Sequence, residues 1–331
     1  MIVGALKNRV EISIITLSVV FFSLFISLFS VSHSFYEISD IQSSLFNKFA
    51  FNEMQHASIP YLIVCSVLIL VGAFLLAVIS INNELIAKGN LIPSLLYILF
   101  SFSAITHSQL QPILIANLFI MFSLQFLFSA YRNENSLLEL FYAGFLIALG
   151  SCFYINYIFI FPIGIIALFI LKSFNWREWI VFLIGVFTPF YFYAGIAYVS
   201  NKNYWQSINL ILSSASQFQK PIFSEFFLIF ILSLVLLFTL SLFHYLNKGF
   251  GSKIKTQKAK YIIIWLSIFC GIISFINSSS SNMFLFPCAI PFSIIIGDYL
   301  EQLKKLKIAN TLLTIVMVGF LIIYFHNLNM I

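Results

Sequence analysis

Apolar residues in this chain come in long unbroken runs divided by short polar punctuation, without the strict alternation that marks a half-buried strand. Eleven runs stand out, at residues 11–31, 58–81, 91–108, 112–131, 138–154, 156–172, 179–199, 223–245, 261–276, 283–300 and 308–326. Crossing a hydrocarbon core of about 30 Å at about 1.5 Å per residue takes roughly 20 residues, so each run is read as a transmembrane helix, several of them short. The two runs that meet near Asn156 admit more than one division. The pattern predicts an all-α fold, a polytopic bundle of about 11 transmembrane helices forming a single domain over residues 1–331.

The first run follows Lys7 and Arg9, as the apolar stretch of a secretory signal would. It is too long for one, and no small-residue cleavage site comes after it, so it is read as a retained signal-anchor helix with the N-terminus in the cytoplasm. Odd-numbered segments then run outward. Of the 17 Lys and Arg residues this places fourteen on the cytoplasmic side, and only Lys48, Lys202 and Lys220 on the other. Positive residues collect on the cytoplasmic side of membrane proteins, so the bias supports the assignment independently of hydropathy and puts the C-terminus outside.

Composition agrees: 61% of residues are hydrophobic and 8% charged, with a mean hydropathy of +1.03. A soluble chain carries about a quarter charged residues, so no water-facing shell fits this sequence. The 41 phenylalanines suit lipid-facing positions that require only apolarity, and an aromatic substrate path is the weaker reading. Cys65, Cys152, Cys270 and Cys288 have no paired spacing and read as packing residues. The net charge of +6 is densest in a basic cytoplasmic loop at 246–260, with the text NKGFGSKIKTQKAK at 247–260. A short loop touching anionic lipid headgroups explains it better than nucleic acid does. In SFNWREW, residues 173–179, Trp176 and Trp179 flank Arg177 and Glu178 as an interfacial anchor.

Two outer loops exceed turn length, 32–57 and 200–222, and loops carry function on a rigid scaffold. Glu11, Glu139, Glu178, Glu225, Asp298 and Glu301 fall near helix ends, where water or headgroups are expected to reach them. Without a mid-membrane charge, a proton-driven pump loses ground. The remaining polar residues gather at outer helix ends: Glu37 and Asp40 after the first run, His107, Gln109 and Gln111 after the third, Tyr154, Asn156 and Tyr157 between the fifth and sixth, and Asn277 to Asn282 after the ninth. If they converge, they form an extracytoplasmic cavity with a carboxylate at its mouth, able to take the proton of an acceptor hydroxyl. The competing reading is a set of interfacial caps and turns, which covers His33, His56 and His107 as well. No residue cluster predicts a metal and no cofactor is expected. No internal repeat is evident.

The stretch LIANLFIMFSLQFLFSAYRNENSLLELFYAGFLIALGSCFYINYIFIFPIGIIALFILKSFNWREWIVFLIGVFTPFYF, residues 114–192, resembles a family of uncharacterised multipass inner-membrane proteins of Bacteroidota. That family resembles in turn the membrane glycosyltransferases of the GT-C superfamily. SNMFLFPCAIPFSIIIGDYL, residues 281–300, is similar to the arginine-tyrosine-apolar-proline segment near the end of many of them. The resemblance implies a GT-C-like fold in the cytoplasmic membrane of a bacterium, a polyprenyl-phosphate-linked sugar donor, and an acidic catalytic residue soon after the first helix, which is Asp40 with Glu37 beside it. The cavity formed by the converging helix ends makes His107, Gln109, Tyr154, Asn156 and Asn282 candidates for substrate binding. The basic residue of the tail motif is missing: Asn282 and Met283 stand there, before Pro287 and Pro291, which leaves Lys202 or Lys220 to meet the donor phosphate. A second reading is a non-catalytic scaffold or subunit of an envelope complex, in contact with membrane lipids and membrane-protein partners. Gly144 and Ala148 have the small-xxx-small spacing that lets helices approach. A transporter is third.

Overall fold

The computed structural model describes residues 59–87, 89–102, 110–131, 133, 135–172, 174–199, 225–249, 253–276, 285–303 and 305–327, together with Ser18 and Phe21. Among them are ten α-helices and no strand. They are α1 (Ile59–Asn82), α2 (Ile92–Phe102), α3 (Leu110–Ser129), α4 (Leu137–Phe153), α5 (Phe161–Leu171), α6 (Trp176–Val199), α7 (Glu225–Gly249), α8 (Ile254–Ile276), α9 (Ala289–Gln302) and α10 (Leu306–Asn327). A 3-10 segment, Ile155–Ile160, lies between α4 and α5. Each of the last ten apolar runs thus holds a helix; the first lies outside the described residues except for helical Ser18 and helical, buried Phe21.

Proline sets several starts. Pro93, Pro112, Pro162 and Pro291 each sit in the first turn of a helix, where a missing N–H costs no intrahelical bond. Near Asn156 the division is resolved by Tyr154, whose extended backbone ends α4. The chain then turns through the 3-10 segment before Pro162 opens α5. The turn between α1 and α2 needs left-handed backbone, supplied by Gly89 at φ 88° and by Glu84 at φ 54°. The basic stretch differs from expectation. Helix α7 runs on to Gly249 and α8 begins at Ile254, because Lys253, Lys258 and Lys260 find partners on neighbouring elements and helix is their natural state.

Packing runs α1 on α3, α3 on α4 and α4 on α6, while α2 lies between α1 and α9, α7 packs on α9, and α8 covers α5 and the 3-10 segment. The α4–α6 contact is backbone on backbone. A Cβ on Gly144 would stand 2.4 Å from the Phe182 carbonyl oxygen, and one on Gly185 2.3 Å from the Phe141 carbonyl oxygen. The small residues of α4 therefore serve packing within the chain. Hydroxyls bond from helix to helix backbone, Ser94 to the Ala73 carbonyl at 2.9 Å and Ser123 to the Ala143 carbonyl at 3.0 Å. Such bonds suit a medium that offers no water.

Among the described residues, five helices are long and apolar enough to cross a membrane, over Ile63–Asn82, Pro112–Ser129, Trp176–Ile196, Phe227–Asn247 and Ile254–Ser274. Helices α6 and α7 expose Phe187, Phe192, Leu232, Leu236 and Phe243, a surface incompatible with water. This is an all-helical integral membrane protein. Contacts among the α1–α2, α3–α4, α5–α6 and α7–α8 turns and the end of α9 place all of them at one end of the bundle. The 3-10 segment is at the other.

Candidate functional site

The 3-10 segment turns inward, so Tyr154, Asn156 and Tyr157 are buried against α3, α4 and α8. Tyr157 donates its hydroxyl to Asn117 Oδ1 of α3 at 2.5 Å. The Tyr154 and Tyr157 rings meet edge to face at 4.9 Å. Tyr97 of α2 comes alongside, its hydroxyl facing Ser101 and Asn117. Its ring fits because α1 has Gly72 there: a Cβ would lie 2.8 Å from the Tyr97 hydroxyl oxygen. Helix α8, which packs on the 3-10 segment, brings Cys270 to this region, and its Ser274 is 3.3 Å from Cys288 Sγ.

The cluster is incompletely paired. Among the described residues, Tyr97 Oη, Ser101 Oγ and Asn117 Nδ2 are enclosed and face one another without a hydrogen bond of normal geometry, and Asn156 Oδ1 is enclosed without a partner. Leaving such a group unmade inside a low-dielectric interior costs about 1–3 kcal/mol. Donors and acceptors are both present, with aromatic faces beside them and no charge. Such a set accepts hydroxyl groups, whether from water or from a polyol.

Of the residues singled out in the sequence, Tyr154 joins this cluster through its ring contact with Tyr157 and Asn156 is buried in the adjoining 3-10 segment, in the interior rather than at a wet turn. Glu37, Asp40, His107, Gln109, Lys202, Lys220 and Asn282 lie outside the described residues. Sequence reasoning missed Asn117, Tyr97 and Ser101. Their only signal is that each is a polar side chain inside an otherwise apolar run.

The other end of the bundle holds the charges, and here an expectation is corrected. Glu178, Asp298 and Glu301 are buried, shielded by neighbouring turns instead of reaching water. Lys172 pairs with Glu178 at 2.6 Å, donates to the Asn133 carbonyl at 2.8 Å and reaches the Ser136 hydroxyl. Lys258 donates to the carbonyl of Leu171, the last residue of α5, at 3.0 Å and lies over the Tyr131 ring. Lys260 faces Asp298 at 3.5 Å and sits 4.3 Å above the Tyr245 ring, while Gln302 donates to Asp298 at 2.5 Å. Glu301 accepts from the Ala87 N–H at 3.3 Å. Exposed Glu84 pairs with Lys253 at 2.6 Å, and the hydrogen bond from that ammonium holds its carboxyl below the usual range. Trp176 is exposed under Arg177, and half-buried Trp179 packs on Phe169 at 4.5 Å.

A polytopic α-helical membrane protein, with a neutral polar cluster near one end and a lysine-bound network at the other, is the class these features define. Over residues 24–331 the chain matches the family described as "Family of unknown function (DUF6427)", and it belongs to that family. Comparison with curated proteins and with solved structures finds no match.

Proposed function

We propose that this protein sits in the cytoplasmic membrane of a bacterium and receives a hydroxyl-rich, lipid-linked group at its extracytoplasmic end. The reaction in this reading is glycosyl transfer from a polyprenyl-phosphate carrier. One observation carries it: four hydrogen-bonding atoms, on Tyr97, Ser101, Asn117 and Asn156, lie unpaired in a charge-free interior that extends toward the end away from the lysines, whereas the other unpaired polar atoms among the described residues lie nearer the charged end. By the positive-inside rule that end faces outward. Binding sites are mostly apolar with a few placed polar groups, and tyrosine faces suit the C–H surfaces of a sugar ring.

In this mechanism Asp40 takes the proton of the acceptor hydroxyl. The freed oxygen lone pair bonds to the anomeric carbon as its bond to the carrier phosphate breaks, and polyprenyl phosphate leaves with that electron pair. Lys202 or Lys220 offsets the charge on the phosphate. His107, Gln109 and Asn282 hydrogen-bond the sugar in this reading. The test is transfer from labelled polyprenyl-phosphate sugars by the protein in vesicles. Asp40→Asn should cut transfer by about 100-fold or more with the protein still folded. Undiminished transfer by that variant would remove the mechanism.

The broad apolar face of α6 and α7, with Phe187, Phe192, Leu232, Leu236 and Phe243, favours a second reading, a scaffold that holds partner helices. A stoichiometric partner after mild solubilisation would support it. A monodisperse single chain without one would count against it.

A further inference from the structure

We propose that the lysine-rich end of the bundle is a permanent seal, so that the cluster around Tyr157 and Asn117 exchanges ligand only through the opposite end. The inference rests on reading that cluster as a ligand site and adds the side from which it is reached.

The ties at this end form a continuous path. From the α3–α4 turn, Asn133 and Ser136 connect through Lys172 to Glu178 at the start of α6. The end of α5, at Leu171, connects through Lys258 to α8 and, through the Tyr131 ring, to the end of α3. From α8, Lys260 reaches Asp298 of α9 and the ring of Tyr245 in α7. From α9, Glu301 holds the Ala87 N–H of the α1–α2 turn, and that turn returns through Glu84 to Lys253, just before α8.

One of these ion pairs is buried and another largely so, with side chains 7% and 6% exposed for Lys260–Asp298 and 12% and 8% for Lys172–Glu178. Parting them would strand charges in a medium of low dielectric, which is what makes such a joint slow to open. Alternating access requires each end to open in turn, and it would have to break this path on every cycle. A one-sided site does not. The lysines that mark this end by sequence therefore act inward, as fasteners, as well as setting orientation.

The chain itself provides reporters. Cys270 lies on α8, which packs on the 3-10 segment, Cys288 meets the same helix at Ser274, and Cys65→Ala with Cys152→Ala leaves them as the two thiols of the protein. Vesicles of both orientations are treated with a charged, membrane-impermeant thiosulfonate. With the path intact, labelling from the lysine-rich side should be at least about tenfold slower than from the opposite side. The pair Lys260→Met with Asp298→Leu removes both charges at once, and Lys172→Met with Glu178→Leu does the same for the other joint. Either should raise labelling from the lysine-rich side about tenfold and leave the other side unchanged. The charge-swapped pair Lys260→Asp with Asp298→Lys, retaining its elution profile in detergent, should restore the slow rate and exclude simple misfolding.

Equal labelling from both sides in the intact chain, or no rise when the joints are removed, overturns the seal. Silence from the outer side, with the rise on the lysine-rich side still present, would instead leave the seal standing and remove the ligand-site reading.

Discussion

At the scale of single residues, the account turns on which polar atoms are paired. Tyr157→Phe removes the hydroxyl that bonds Asn117 and leaves Asn117 Oδ1 bare, at an expected cost of about 1 kcal/mol. Adding Asn117→Leu removes the second orphan as well, so the double variant should be less destabilised than the sum of the two singles. Thermal unfolding in detergent measures both. The buried pair behaves differently. Asp298→Ala strands the Lys260 ammonium and should cost about 3–5 kcal/mol, whereas Lys260→Met with Asp298→Leu should recover most of it. A double-mutant cycle by the same unfolding measurement decides, and additive losses would contradict the pairing. Asn117 and Tyr157 are 40 positions apart, and nothing local in either run announces that they meet. Asn156 was legible as a polar break in an apolar stretch. Its burial was not, because the inward turn depends on where α8 lies.

At the scale of elements, the α4–α6 crossing depends on two glycines. Gly144→Leu or Gly185→Leu drives a side chain into a backbone carbonyl that has no rotamer to escape with. The expected loss is about 3 kcal/mol or more, read as a lower unfolding temperature or failure to elute as a single species. Gly195→Leu, with nothing within 4 Å of the added Cβ, should change stability by no more than about 0.5 kcal/mol. The α1–α2 turn carries a pH dependence of known sign. Glu84 is held below its ordinary value of 4.5, so its pairing with Lys253 supports the fold fully above that value and fades as pH falls through the lower folded value. Lys253→Ala should abolish that small dependence. Element positions were largely readable because length and apolarity alone announce a span. The boundaries of α8 were not, since lysines that look like loop residues are helical once neighbours accept their charges.

At the scale of the whole molecule, the sorting of charge gives the bundle two unlike ends. Lysines bind the turns at one, while uncharged polar side chains lie near the other, and this division is what supports a one-sided site in a multipass membrane protein. The most direct test is the sidedness of two exposed positions, one at each end. With the native cysteines replaced, Lys255→Cys and Tyr198→Cys are each treated with an impermeant thiol reagent in vesicles of known orientation. The account predicts labelling of Lys255→Cys from the cytoplasmic side alone and of Tyr198→Cys from the outer side alone. Labelling of both positions from the same side would contradict it.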